Sequence, residues 1–91
     1  MEKTIREINS ERLASVSVVF TIFNGIDPTK EFIDILSLTV AVEIKTWYDE
    51  QGRDFDFDTE LVDEEAVKYA FGRIQALTNA AKAQVALETL R

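Results

Sequence analysis

LSLTVAVEIK, residues 36–45, decides the fold. Leu36, Leu38, Val40, Val42 and Ile44 alternate with Ser37, Thr39, Ala41, Glu43 and Lys45 without a miss, which is the period of a half-buried strand. The competing helical stripe, Phe32, Leu36, Val40, Ile44 and Tyr48, leaves Leu38 and Val42 outside it. β-branched side chains also favour the extended chain. The alternation predicts a long strand over residues 35–49.

Upstream, LASVSVVFTIF (13–23) sets Val16, Val18, Phe20 and Ile22 against Ser15, Ser17 and Thr21, while Val19 and Phe23 break the polarity. It predicts a strand that is central or covered on both faces. Asn24-Gly25 ends it, because both residues tolerate positive φ. Asp27 before Pro28 reads as an N-cap and first-turn pair for one or two helical turns. Downstream, DEQGR (49–53) supplies a hairpin turn at Gly52. DFDFD (54–58) then reads as a third strand, with Phe55 and Phe57 inward and Asp54, Asp56 and Asp58 outward.

The last third carries a helix signature. Asp63 is placed to cap it, Glu64 and Glu65 suit the positive end of the dipole, and Val62 can staple to Val67. The helix is expected to run to about Leu90. One apolar stripe is Val67, Ala70, Phe71, Ile74, Leu77, Ala81 and Val85; a second is Ala76, Ala80, Ala83, Leu87 and Leu90. A sheet covers one stripe, so the second is the expected oligomer interface. Thr4–Arg12, with Ile5 and Ile8, reads as a short amphipathic helix. The order predicts an α+β fold: a three-stranded antiparallel meander with a short N-terminal and a long C-terminal helix packed on one face. The alternative is an all-α bundle in which residues 28–50 are helical.

With 91 residues, 46% hydrophobic and 30% charged, the chain is expected to form a single globular domain over 1–91. It has no cysteine, and MEKTIREINSER opens without the apolar run of a signal peptide, so a cytoplasmic protein with no membrane span is expected. The charge is uneven. Of the net −7, Asp49 to Glu65 contribute nine acids and one base, a balance of −8, and the rest of the chain +1. Such a surface repels nucleic acid, whose recognition needs Lys and Arg against phosphate. It points instead to a basic protein partner, met by Trp47, Asp49, Glu50, Asp54, Asp56, Asp58 and Glu60, with Trp47 as an anchor.

Catalysis is disfavoured, and no cofactor is expected. The chain has no histidine, which removes the commonest general base and nucleophile activator. A calcium loop fits in part, with Asp54, Asp56, Asp58, Leu61 and Glu65 at matching positions, but Thr59 stands where the turn needs glycine. In size and charge pattern the expected fold resembles small phage-encoded inhibitors, including some anti-CRISPR proteins. That resemblance implies a nucleic-acid mimic occupying a basic groove. The expected function is a non-enzymatic acidic protein-interaction module. A self-associating structural or assembly subunit is the alternative, and a calcium-binding module comes third.

Overall fold

The computed structural model describes residues 2–90. Among them the chain forms three helices, α1 (Ile5–Phe23), α2 (Lys30–Glu50) and α3 (Glu64–Thr89), and no strand. The expected α+β meander is therefore wrong, and the all-α alternative is the architecture that forms. Residues 13–23 belong to α1, residues 35–49 lie inside α2, and residues 54–58 are loop.

The reason lies in the opening stretch. Leu36, Val40, Ile44 and Tyr48 are buried and Phe32 packs beside them, whereas Leu38 and Val42 stand 70% and 63% exposed. Three of the five alternating residues also satisfy the four-residue period, so the local pattern is degenerate. Extent and punctuation break the tie. From Lys30 to Glu50 the chain holds neither Gly nor Pro, a run well beyond the usual strand of about 3–10 residues. Burial of one helical stripe outweighs the local β preference, which depends on context.

The caps agree with helices. Thr4 Oγ1 accepts the Glu7 N–H at 3.1 Å and opens α1. Thr29, rather than Asp27, caps α2 by accepting from the Phe32 N–H at 3.2 Å. Asp63 caps α3, as its sequence position predicts. Gly25 and Gly52 sit at φ +69° and +68° just past the ends of α1 and α2. At Gly52 the expected hairpin turn is a helix stop: Gly52 N–H reaches Asp49 O at 3.0 Å and Arg53 N–H reaches Tyr48 O at 3.0 Å, the paired bonds of a Schellman motif.

α2 packs against both other helices. The core is Leu13 and Phe20 of α1, Leu36, Val40, Ile44 and Tyr48 of α2, and Ala66, Ala70 and Ile74 of α3, closed by Val62. Ala66 and Ala70 carry no bulk, which lets α3 lie close to α2. The molecule is long and thin, 55 × 32 × 17 Å, with a radius of gyration of 15.0 Å against about 12 Å for a compact chain of this length. α3 causes this, since every residue from Asn79 to Leu90 is exposed. Among the described residues, no helix is long and apolar enough to cross a membrane.

Candidate functional site

The acids gather at one end of the molecule, on the last turn of α2, the connecting loop and the first turn of α3. The loop is irregular but tied down. Asn9, the first buried residue of α1 and 0% exposed, makes three hydrogen bonds to it. Its Nδ2 donates to Phe57 O at 2.8 Å and to Glu60 O at 2.7 Å, and its Oδ1 accepts the Val62 N–H at 2.9 Å. The Arg12 guanidinium donates to Val62 O. The Tyr48 hydroxyl accepts the Asp63 N–H at 2.8 Å. Satisfied in this way, a buried amide becomes a clamp rather than a cost.

Aromatic rings hold the other side. Phe55 stacks on Tyr48 with centroids 4.3 Å apart and planes 7° from parallel, and Phe57 meets Phe55 edge-on at 6.5 Å. Arg53 lies 5.1 Å above the Tyr48 ring. Within the loop, the Asp58 N–H donates to Asp56 Oδ1 at 2.9 Å, an Asx turn. Phe55 and Phe57 therefore pack against the core while Asp54, Asp56, Asp58 and Glu60 stand exposed. The inward and outward alternation holds although the strand does not.

Little of this charge is neutralised internally. Asp49 pairs with Lys45 at 2.7 Å, and Asp58 faces Arg6 at 3.7 Å. The hydrogen bond from Lys45 to Asp49 raises the lysine pKa above its ordinary value, outweighing the opposing effect of desolvation, and the charges of Asp49 and Asp54 add to the rise. Glu50, Asp54, Asp56 and Glu60 have no ion-pair partner among the described residues. The last turn of α2 ends in two acids with no base, the wrong sign for the negative end of a helix dipole.

Beside the loop, a largely apolar groove of about 630 Å³ runs between α1 and α2, lined by Leu13, Leu38, Ala41, Ile44, Phe55 and Phe57 together with Arg6, Asp34 and Lys45. The exposed Leu38 that misleads the sequence reading is part of this lining. Trp47, expected as an exposed anchor, is half-buried against the core, its ring edge-on to Tyr48 at 5.0 Å. Ala76, Ala80, Ala83, Leu87 and Leu90 are all exposed along α3, at the other end of the molecule. The carboxylates of the calcium pattern do not converge: Glu65 lies 3.7 Å from Lys68, and no three acids among the described residues surround a common point.

Asn9 is the residue that sequence reasoning misses. Its signal is present, however, since a polar amide at the centre of the four-residue stripe Ile5, Asn9, Leu13 needs buried partners. Compared with protein-family models, with curated proteins and with solved structures, the chain matches none. The resemblance to phage-encoded inhibitors rested on a helix, three-strand, helix order that the all-helical fold does not have.

Proposed function

We propose that the chain is a non-enzymatic interaction module whose acidic α2–α3 loop receives a basic, amphipathic segment of a partner protein. The observation that carries this reading is the Asn9 clamp. Charges kept only for solubility need no ordered backbone, whereas three hydrogen bonds from a fully buried side chain fix this loop with its acids outward. A binding surface ordered before contact avoids part of the entropy cost of association. Two further features support it. The acids sit where they cost stability, at the C-terminus of α2, and local rules are most often broken at functional positions. The groove lined by Phe55 and Phe57 adjoins the acids, so one segment carrying apolar and basic faces finds both complements side by side.

The test uses two synthetic helical peptides with Leu at positions i, i+3, i+4 and i+7, one carrying Lys and the other Glu at the remaining positions, titrated against the chain by fluorescence anisotropy. The Lys peptide should bind, weakening at least about tenfold between low and high salt and again when Asp54, Asp56 and Asp58 become Asn. Equal binding of both peptides, or binding of the Lys peptide unmoved by salt and by those substitutions, would overturn the reading.

A further inference from the structure

α3 extends past the rest of the fold with its apolar face uncovered. Leu87 is 60% and Leu90 83% exposed, in line with Ala76, Ala80 and Ala83 at spacings of four and three. We propose that this face pairs with α3 of a second copy of the chain, antiparallel, about a two-fold axis at Ala83.

A two-fold contact requires a surface complementary to its own reverse. This stripe nearly meets that requirement: in a register centred on Ala83, Ala76 meets the partner's Leu90, Ala83 meets the partner's Ala83, and Leu87 falls one residue, about 1.5 Å, from the partner's Ala80. Each large side chain faces a small one, so the helices approach closely and interdigitate.

Electrostatics select the antiparallel sense. Between Ala76 and Leu90 the only charges are Lys82 and Glu88, which cancel, so two such faces do not repel. The acidic segment with its balance of −8 lies at the other end of α3, a helix length of about 39 Å away. Antiparallel pairing leaves the two acidic ends on opposite sides of the dimer, while parallel pairing would bring them together. The area also suits a second copy. The chain exposes 6426 Å², against about 5,400 Å² for a compact monomer of its mass. The excess, about 1,000 Å², is near the ~800 Å² that each partner buries in a standard interface. This pairing leaves the acidic loop free and stands whether or not the loop binds a partner.

The test is the mass by sedimentation equilibrium at about 100 μM, a concentration where a micromolar dimer is nearly all formed. The mass should be twice 10.3 kDa. Ala83→Glu, which sets a charge against itself on the axis, should return it to 10.3 kDa with unchanged helicity. Because the chain has no cysteine, Ala83→Cys should cross-link to a covalent dimer on mild oxidation, and Ser15→Cys should not. A monomer at this concentration would overturn the proposal. So would a dimer that survives Ala83→Glu, which would place the contact on the exposed Leu77, Ala81 and Val85 of α3, on Ile35, Leu38 and Val42 of α2 or on Val19, Ile22 and Phe23 of α1. Failure of Ala83→Cys to cross-link would overturn it as well.

Discussion

The Asn9 side-chain oxygen accepts the Val62 N–H at 2.9 Å, joining the second turn of α1 to the end of a loop 53 positions away. The same amide donates to Phe57 O and Glu60 O, so one side chain ties three points of the acidic loop to α1. Asn9→Ala should lower stability by roughly 2–3 kcal/mol, from three hydrogen bonds at about 1 kcal/mol each. A chemical denaturation series measures this. The substitution leaves every charge in place, so weaker binding of the Lys peptide in Asn9→Ala separates an ordered surface from charge alone.

Leu38 and Val42 distinguish the helix from the strand that their sequence suggests. In a strand they would share the buried face of Leu36, Val40 and Ile44. In α2 they are 70% and 63% exposed, while Ile44 is 2% exposed. Leu38→Gln and Val42→Gln should each change stability by no more than about 0.5 kcal/mol. Ile44→Ala should cost about 2–5 kcal/mol. Thermal melts of the three variants resolve the difference, and equal losses would contradict the helical packing.

Tyr48 serves the core and a helix start at once. Its ring is 1% exposed and stacks on Phe55, and its hydroxyl accepts the Asp63 N–H at 2.8 Å. Tyr48→Phe keeps the ring and removes the acceptor. The expected loss is about 1–2 kcal/mol for an orphaned, part-buried amide at the N-terminus of α3, read as a fall of several degrees in the melting midpoint.

Stability should be nearly level between pH 6 and about 8.5, since the chain has neither a histidine nor a cysteine side chain to titrate there and an α-amino group is the only ordinary titrating group left in that window. Lys3, Lys30 and Lys45 are raised above their ordinary 10.5 chiefly by hydrogen bonds to Glu11, Asp34 and Asp49. A lysine raised in the folded state stabilises below its unfolded pKa, and that contribution is lost as pH climbs through the folded one. Any decline tied to these pairs therefore begins above pH 10.5, and it should be slight because all three pairs are exposed. Melting midpoints across a pH series check the profile.

The part of the fold legible in the sequence is the part with local, redundant signals. Asp63 followed by Glu64 and Glu65 marks the start of α3, and Ala70 and Ile74 of the expected stripe are buried, joined by Ala66 four residues earlier, while Leu77 and Val85 of that stripe are exposed. Phe55 and Phe57 turn inward and the aspartates outward because that preference belongs to the side chains, whatever the backbone between them does. α1 and α2 are obscured by surplus apolar residues. Ile22, Leu38 and Val42 lie on the surface, and counted as core they complete a strand pattern that burial does not follow. Capping by Thr4 and Thr29, and the long runs without Gly or Pro between each cap and its following glycine, carry the helical signal. The clamp was hidden for another reason: hydrogen bonds spanning 48 to 53 positions leave no periodicity.

The account rests on an acidic loop held rigid by a buried side chain, and backbone order parameters from ¹⁵N relaxation test that directly at Phe57, Glu60 and Val62. In the native chain they should lie near 0.85, the value for rigid backbone, and in Asn9→Ala they should fall toward about 0.6 or below. Values below about 0.6 in the native chain, or values unchanged by the substitution, would contradict it.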